Sequence, residues 1–538
     1  AVAPLAFRNE YFYEGGPATT TPCEFTCDNI SPKPEICNNG QDDDADGLFD
    51  CLDPDCDCPS NPCEPSESNL WYFGLNKGLD FSTDPPTELN DGQTSSQYGN
   101  NASVINDAQG NLIMYSDGLN VFNRNHQVMP NGVLSGLVFS AETMILPHPG
   151  EPGEYYVINA GPFVSDDPRY AVVDMALDNG LGDVVPGQKD LSLIDLPPFE
   201  SIVVSPNIVA VRSCSFDGYW VLLHSVQGNQ FLRYRIDQDG LYPLPVVTPI
   251  GTAPNIPNFF VERILKFSPD GTRIALSAGK DYIELFDFDP TLFGLVSNAI
   301  TVTMPEAGDI GGLEFSPEGR FLYVVVVQPD NAKSQIWQFD LTASSGPGIE
   351  ASGILVGEKP ISLDISINKA QLAPNGKIYL ASTVNGLGAP STSLDIIHQP
   401  DVRGVACLFQ PDGLPLSGSG GSLGGLCNFP ASFFRKPNID FSDNATDSIC
   451  LLGASKTLQY QIKYVDCGVD SIRWELFGLS GSIEENYQYA NVTYTEPGEG
   501  LLVVTAVGDC IPAADTLHIR VFGAQPQGID LGPDTVTV

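Results

Sequence analysis

Acidic residues between Asp42 and Asp53 have the spacing of a calcium-binding loop. In this twelve-residue stretch, DDDADGLFDCLD, carboxylates occupy positions one, three, five, nine and twelve, and a glycine occupies position six. Ca²⁺ takes six to eight oxygen ligands, and this alternation lets the carboxylates converge on one ion while the glycine permits a sharp turn. A solvated acidic linker is the alternative interpretation, but the matched spacing favours Ca²⁺ as the cofactor. The predicted ligands, including one main-chain carbonyl at position seven, are Asp42, Asp44, Asp46, Leu48, Asp50 and Asp53.

Cysteines surround this loop at the density of a disulfide-stapled module. Residues 35–67 contain eleven acids and no Lys or Arg, so apolar burial alone cannot fold this segment. Disulfides formed in an oxidising compartment are therefore predicted. Zinc bound by thiolates is the weaker alternative, because hard carboxylates are interleaved and the segment has no histidine. The cysteines concerned are Cys23, Cys27, Cys37, Cys51, Cys56, Cys58 and Cys63.

A repeated hairpin dominates residues 69–436. An alternating apolar strand, a turn with glycine and a second apolar strand recur, most clearly in LKFSPDGTRIALS, LEFSPEGRFLYVV and AQLAPNGKIYLAS. Glycine supplies the positive φ of such a turn. The turn glycines, at intervals of 43 to 65 residues, are Gly110, Gly153, Gly218, Gly271, Gly319 and Gly376.

This period predicts an all-β chain whose central region is a seven-bladed β-propeller. A propeller blade has about four strands in roughly fifty residues. Residues 69–436 have room for seven such blades, one of them without a visible turn glycine. A stack of β-sandwiches is the alternative, but sandwiches would not repeat one hairpin at blade intervals. The glycine-rich SGSGGSLGG from Ser417 lacks the lysine and the preceding strand of a phosphate loop, so it is predicted to be a flexible connection.

Several segments resemble the propeller region of large secreted proteins of Bacteroidota. They are NLWYFGLNKGLDF from Asn69, GNLIMYSDGLNVFNRNHQVMPNG from Gly110, LAPNGKIYLA from Leu372 and GLCNFPASFF from Gly425. Proteins of that family commonly carry PKD or immunoglobulin-like repeats, and many are exported by the type IX secretion system. CNNGQDDDADGLFDCLDPDC from Cys37 likewise resembles an acidic, cysteine-flanked motif of bacterial secreted proteins and the calcium repeats of thrombospondins. The resemblance implies location and architecture, not an activity.

The chain is thus predicted to have three domains and a terminal segment. Residues 1–68 form the cysteine-rich calcium module, 69–436 the propeller, and 437–527 an immunoglobulin or PKD-like β-sandwich of short alternating strands. Residues 528–538 begin a further repeat, so that the chain stops inside a longer protein, or form a strand that pairs with a neighbouring subunit. In the later regions Cys407 is predicted to pair with Cys427, and Cys467 with Cys510; Cys450 is the alternative partner.

Four Asp-Ser/Thr-aliphatic triplets after residue 436 resemble the O-glycosylation sequon of Bacteroidota. Chance is the alternative, because the pattern is only three residues long. The candidate acceptors are Ser448, Ser471, Thr516 and Thr535.

Charge and missing motifs narrow the function. With 67 acidic and 25 basic residues, the net charge of −42 repels nucleic acid. The sequence contains no run of about eighteen apolar residues, so direct insertion into a membrane is not predicted. The signatures HExxH, GxSxG, GxxxxGK[ST] and GxGxxG within a βαβ unit are absent from the sequence, and the five histidines are scattered.

We therefore expect a non-catalytic extracellular or cell-surface protein. Its role would be adhesion or a structural extracellular assembly such as a filament, and its partner an extracellular protein, a glycan or other copies of itself. The alternative is a secreted hydrolase of polysaccharide or peptide, which would need two carboxylates converging in the propeller funnel.

Overall fold

The structure is a computed structural model of the 538-residue chain, in which residues 61–538 form one compact unit. The described residues belong to this unit. They are 66–95, 102–135, 142–161, 167–194, 198–199, 202–226, 228–253, 263–277, 280–291, 293–328, 333–343, 345–360, 365–384, 389–418, 420–434, 439–441, 447–451, 454–465, 469–486, 489–508 and 513–523.

The protein is all-β, and within these ranges its strands form nine sheets with almost entirely antiparallel pairing. The first sheet has three strands, β1 (Leu70–Phe73), β2 (Lys77–Asp80) and β3 (Thr87–Leu89). The second contains β4 (Ser103–Asn106), β5 (Leu112–Ser116), β6 (Asn120–Asn123) and β7 (Val128–Val133). The third contains β8 (Thr143–Pro147), β9 (Glu154–Asn159), β10 (Arg169–Asp174), β11 (Asp183–Val184) and β12 (Leu191–Ser192).

Four more sheets follow in chain order. The fourth contains β13 (Val209–Arg212), β14 (Tyr219–His224), β15 (Gln230–Asp237) and β16 (Gly240–Pro249). The fifth contains β17 (Leu265–Phe267), β18 (Arg273–Ser277), β19 (Tyr282–Phe288) and β20 (Val296–Thr303). The sixth contains β21 (Asp309–Phe315), β22 (Phe321–Gln328), β23 (Lys333–Asp340) and β24 (Ile354–Pro360). The seventh contains β25 (Ile365–Leu372), β26 (Ile378–Val384), β27 (Ala389–Pro390), β28 (Ser393–Ile397) and β29 (Phe409–Pro415).

Helices are few and short in the described residues. One α-helix, α1 (Gly346–Ala351), starts at Ser345, whose side chain accepts a hydrogen bond from the Gly348 N–H. The 3-10 helices are Ser66–Ser68, Asp178–Gly180, Gly404–Cys407 and Ala431–Phe434.

The predicted hairpin turns are confirmed. Each of the six turn glycines lies between the first and second strand of one of the second to seventh sheets and has positive φ, from 68° at Gly319 to 147° at Gly218. The first sheet lacks this signal and turns through Gly74 and Asn76, both also at positive φ. The hairpins were predictable because a tight turn needs a residue without a Cβ at that backbone conformation.

Successive sheets pack face to face, so their middle strands are covered on both sides. All eight residues of β22, FLYVVVVQ, and all six of β14, YWVLLH, are buried. Strands covered on both faces have continuous apolar runs rather than alternation. The first strands of neighbouring sheets contact one another, as β4 does β8, β13 does β17 and β21 does β25. These first strands therefore line a shared interior.

The seventh sheet packs against the first. The rings of Trp71 and Tyr379 lie 6.0 Å apart, and the Lys377 ammonium pairs with the Asp84 carboxylate at 2.7 Å. The segment after β29 completes this junction, because the Leu75 N–H donates to the Gly421 carbonyl at 2.9 Å. The chain thus returns to where its first sheet begins.

The glycine-rich segment from Ser417 is part of this junction, so its prediction as a flexible connection is wrong. The buried Lys77 ammonium donates to the Ser417 carbonyl and to Glu88. The Glu88 carboxylate accepts the Ser417 N–H at 2.9 Å, and Ser422 pairs with Ser391 through main-chain hydrogen bonds. Glycine is needed here for close approach rather than flexibility: a Cβ on Gly421 would collide with the Ser391 carbonyl.

Five sheets end in a bulged strand at their edge. We call β7, β16, β20, β24 and β29 the outer strands. In β16, for example, Arg233 and Arg235 of β15 pair with Val246 and Tyr242, so four residue steps oppose two. The other outer strands carry the same kind of irregularity. Such bulges interrupt the row of main-chain groups that a free strand edge would present.

The last two sheets share a separate core. Their strands are β30 (Ile439–Phe441), β31 (Ser448–Cys450), β32 (Lys456–Val465), β33 (Val469–Phe477), β34 (Gly481–Glu485), β35 (Tyr489–Tyr494), β36 (Gly498–Gly508) and β37 (Ala513–Phe522). One sheet has the order β30-β32-β35-β34 and the other β31-β37-β36-β33, with β31 parallel to β37. Between them Trp474 packs with Tyr460 and Tyr494, whose hydroxyls are 3.1 Å apart.

Candidate functional site: a buried polar cluster on the first strands

Three polar side chains from successive repeats meet in the shared interior. Lys266, Glu314 and Gln371 occupy the same position of the repeated hairpin, the polar residue in LKF, LEF and AQL. The Lys266 ammonium lies 2.8 Å from the Glu314 carboxylate and 2.8 Å from the Gln371 amide oxygen. The pair is largely buried, with 14% of the Lys266 and 5% of the Glu314 side chain exposed. The repeat thus places one polar side chain from each of β17, β21 and β25 at a common point.

Main-chain donors complete the bonding of Glu314. Its carboxylate accepts the Leu372 N–H at 3.2 Å and its own neighbour's N–H, from Phe315, at 3.0 Å. A buried carboxylate needs such partners, because an unpaired charge away from water is strongly unfavourable. Glu314 is therefore committed to β17 and β25 on either side of it.

A second buried ion pair joins the third and seventh sheets. The Lys369 ammonium of β25 lies 2.9 Å from the Glu142 carboxylate, which immediately precedes β8. Both side chains are at most 6% exposed. The other Glu142 oxygen accepts the Ile208 N–H at 3.2 Å. This pair therefore links β25 with the residues that immediately precede β8 and β13.

Asn428, which lies after the seventh sheet, forms hydrogen bonds to residues in or next to three first strands, β4, β8 and β13. Its side-chain amide donates to the Ile208 carbonyl at 3.0 Å and to the Thr143 carbonyl at 3.3 Å. Its main-chain N–H donates to Ala102, and its carbonyl accepts the Ser103 hydroxyl at 2.9 Å. The segment that resembled a family motif, GLCNFPASFF, thus lies inside the shared interior.

A small cavity remains beside this segment. Its volume is about 20 Å³, and its lining includes Lys266, Glu314, Gln371, Asn428 and Phe434. That volume holds about one water molecule. A sugar ring or a peptide does not fit there, because a ligand pocket is typically several hundred Å³.

The charges of the cluster balance, which determines what it can do chemically. Glycoside hydrolysis needs one protonated carboxyl group and one free carboxylate facing the same bond. Here Glu142 and Glu314 are each neutralised by a lysine and bonded to main-chain N–H groups. The arrangement cross-links first strands through charge-balanced pairs.

One ion pair of the sixth sheet, between Arg320 and Asp340, is partly exposed. The Arg320 guanidinium lies 2.9 Å from the Asp340 carboxylate, with side chains 47% and 10% exposed. Burial opposes ionisation of Asp340, but hydrogen bonds from Arg320 and from Thr342 outweigh it and lower the pKa of Asp340 to about 2. The ionised carboxylate is therefore a stabilising group.

The predicted pairing of Cys407 with Cys427 is wrong, because both are buried free thiols. Cys427 donates to the Tyr72 carbonyl at 3.3 Å, and burial raises the pKa of its thiol. Cys407 interacts instead with the Tyr323 hydroxyl. The alternative use of Cys450 in a disulfide is also wrong, since it is an exposed free thiol. Cys214, which had no predicted partner, is disulfide-bonded.

The other predicted site residues either lie in strands or fall outside the described ranges. Ser448 is exposed in β31, Ser471 lies in β33, and Thr516 is half-buried in β37. Those outside are the calcium ligands Asp42, Asp44, Asp46, Leu48, Asp50 and Asp53, together with Cys23, Cys27, Cys37, Cys51, Cys56, Cys58, Cys63, Cys467, Cys510 and Thr535.

The described residues contain no group of three or more His, Cys, Asp or Glu side chains arranged to hold a metal ion. Among their helices, none has the length and apolar character needed to cross a membrane.

Lys266, Glu314, Gln371 and Asn428 were not predicted from the sequence. The chain has 67 acidic residues, and nothing in their local sequence distinguishes Glu314 from the others. The available signal was the polar residue repeated at one position of three hairpins, since equivalent positions of first strands face the same interior.

Comparisons with known proteins give structural similarity alone. No protein-family model and no curated protein matches the chain. A candidate 6-phosphogluconolactonase from Bacteroides uniformis is 14% identical, with a TM-score of 0.41 over 65% of this chain and 97% of that one. A β-propeller domain from Myceliophteria thermophila is 12% identical, with a TM-score of 0.33 over 60% and 94%. A quinonprotein alcohol dehydrogenase-like protein from Bacteroides thetaiotaomicron is 12% identical, with a TM-score of 0.32 over 62% and 73%.

Proposed function

We propose that the chain is a non-catalytic extracellular surface protein that serves adhesion or a structural extracellular assembly. The observation that carries this proposal is the neutralisation of Glu142 and Glu314 by lysines in the shared interior. This is where a propeller hydrolase would need two uncommitted carboxylates. Without them, the region serves as a rigid scaffold that presents its surface to a partner.

The proposed architecture of the scaffold is a seven-bladed β-propeller. Seven sheets follow one another between Leu70 and Pro415, each beginning with a strand in the shared interior. Their closure through residues 417–428 supports a circular arrangement, since closing the circle leaves no interior sheet edge unpaired. The propeller would follow a module of residues 1–68 stapled by Ca²⁺ and disulfides.

The C-terminal pair of sheets is proposed to be an immunoglobulin or PKD-like sandwich. The strand orders β30-β32-β35-β34 and β31-β37-β36-β33 support this, because the first two strands of the region, β30 and β31, belong to different sheets. β31 runs parallel to the last strand, β37. Such a domain would act as a spacer that projects the propeller from its attachment point.

An oxidising exterior is the proposed location. The disulfide at Cys214 supports it, because disulfides persist outside the cytosol. The net charge of −42 supports partners other than nucleic acid. The partners would be an extracellular protein or glycan, or further copies of the chain.

Adhesion and hydrolysis are distinguished by one set of measurements. Fluorescently labelled protein is applied to cells of the producing species, to other bacteria and to immobilised polysaccharides, and retention is measured after washing. In parallel, release of reducing sugars and of peptides is followed on a polysaccharide and protein panel. We expect retention without turnover. Turnover that disappears in folded Glu142→Gln or Glu314→Gln would contradict the proposal and favour the hydrolase.

A further inference from the structure

An exposed apolar surface lies at the outer edge of the fourth sheet and the adjoining turn of the fifth. We call it the outer patch. Its side chains are between 44% and 62% exposed, unlike the other apolar residues of these sheets, most of which are buried. Contiguous exposed apolar side chains on a soluble protein mark interaction surfaces more often than isolated ones do. The outer patch consists of Tyr242, Leu244, Val246, Phe293 and Leu295.

Arg233 connects the two parts of the outer patch. In the ladder between β15 and β16 it lies directly opposite Val246. Its guanidinium donates to the Gly294 carbonyl at 2.6 Å, which places the turn between Phe293 and Leu295 against the same strand. The guanidinium also lies 5.0 Å from the centre of the Trp220 ring, which is buried beneath it. The patch is therefore one surface with a cation at its centre.

The charge of Arg233 has no acidic partner among the described residues. Its neighbour Arg235 does have one, the Asp237 carboxylate at 2.6 Å. Burial lowers the pKa of Arg233, consistent with a cation that would gain from an anionic neighbour.

The outer patch offers side chains rather than a strand edge. Tyr242 and Val246 flank the bulge of β16, which contains Pro243 and Pro245. Proline has no N–H to donate, and a bulge interrupts the ladder, so another strand cannot extend the sheet here. A partner must therefore use its own side chains against the patch. Tyrosine, phenylalanine and arginine are enriched in such interfaces.

We propose that the outer patch docks a segment of a partner protein that has apolar side chains flanking one carboxylate, with the carboxylate opposite Arg233. The inference names a partner class for the proposed surface function and rests on it. A glycan is the poorer fit, because Leu244, Val246 and Leu295 are aliphatic rather than aromatic platforms. A second copy of the chain is disfavoured by repulsion between two net charges of −42.

The test selects peptides from a display library on the wild-type chain. Peptides are counter-selected on Leu244→Ser/Phe293→Ser, and affinities are measured by fluorescence anisotropy. The control is Val402→Ser/Val405→Ser, which alters exposed apolar residues elsewhere. Circular dichroism confirms that each variant is folded.

We expect the selected peptides to contain Asp or Glu between apolar residues. Leu244→Ser/Phe293→Ser should weaken them at least about tenfold, as for central interface residues. Arg233→Gln should weaken them about five- to tenfold, and Arg233→Lys less. The control should stay within about twofold, as expected away from the interface.

Several results would overturn the inference. They are no enriched peptide, enriched peptides without an acidic residue, and equal affinity for Leu244→Ser/Phe293→Ser and the wild type. Binding on a glycan array that this variant loses would assign the patch to a glycan. Concentration-dependent dimerisation that it loses would assign the patch to a second copy. If this variant adheres to cells as the wild type does, docking at the patch fails and the surface function stands; if the wild type does not adhere, the surface function itself fails.

Discussion

Removing one charge of the buried pair Lys266 and Glu314 should lower the free energy of unfolding more than removing both charges does. The two side chains are 14% and 5% exposed and 2.8 Å apart. Removing one partner of a buried pair typically lowers the free energy of unfolding by 3–5 kcal/mol, because the other charge is left uncompensated. Gln371 still accepts from Lys266 in Glu314→Gln, and the N–H groups of Leu372 and Phe315 still donate to Glu314 in Lys266→Met. We therefore expect the lower end, about 3 kcal/mol, for each single variant.

The double variant Lys266→Met/Glu314→Gln leaves no charge to compensate. The new glutamine can still accept the Leu372 N–H, which Glu314 now binds. We expect a loss of about 2 kcal/mol, less than for either single variant. Urea unfolding at 25 °C, followed by tryptophan fluorescence, gives the midpoints, and an unchanged slope shows that the denatured state is comparable.

A surface pair provides the control for this cycle. Lys280 and Asp309 lie 2.9 Å apart but are 67% and 46% exposed. Their separate and joint substitutions should each change stability by less than about 1 kcal/mol. Additive losses of about 6 kcal/mol in the Lys266→Met/Glu314→Gln variant would refute the argument, because they would show that the two residues stabilise the fold independently. Single-variant losses as small as those of the surface pair would refute it as well.

Three further predictions concern other parts of the chain. Asn428→Ala leaves two buried carbonyls without their donor and should lower the free energy of unfolding by about 2–4 kcal/mol, whereas exposed Asn125→Ala should stay within about 0.5 kcal/mol in the same urea titration. Because the folded pKa of Asp340 is lowered from 3.8 to about 2, its ionisation stabilises the fold above about pH 5. That contribution, about 1 kcal/mol after allowing for screening by solvent, should be lost progressively as the pH falls from about 5 to about 1, and Asp340→Asn should flatten this part of the pH–stability curve; an unchanged curve would contradict the assignment. Chelation by EDTA should lower the melting temperature of the wild type but not of Asp44→Ala/Asp46→Ala, and a wild type indifferent to EDTA would argue against a stabilising calcium site.

Local features of the fold were predictable, and contacts between repeats were not. A glycine such as Gly271 predicts a hairpin from local sequence alone, because the turn requires a residue that adopts positive φ. The meeting of Lys266 with Glu314 depends on how separate hairpins are arranged in space. The sequence contains the equivalent positions but not the distance between them.

The errors have similar causes. Glycines after Ser417 were interpreted as flexibility, since composition does not distinguish a loose linker from a segment where two backbones touch. Cys407 and Cys427 are consecutive cysteines in the sequence, which does not show where their side chains point. The structure instead directs Cys427 toward Tyr72 in the first sheet and Cys407 toward Tyr323 in the sixth. Pairing rules that ignore direction cannot detect this.

The bulged outer strands determine how the protein behaves when many copies are held close together. Proteins with strands at their sheet edges are at risk of aggregation when they are crowded, because exposed edges of neighbouring molecules can pair into continuous sheets. Because β7, β16, β20, β24 and β29 each interrupt their own edge, neighbouring copies can touch along their rims without fusing. Contacts between copies along these five edges must therefore be made by side chains.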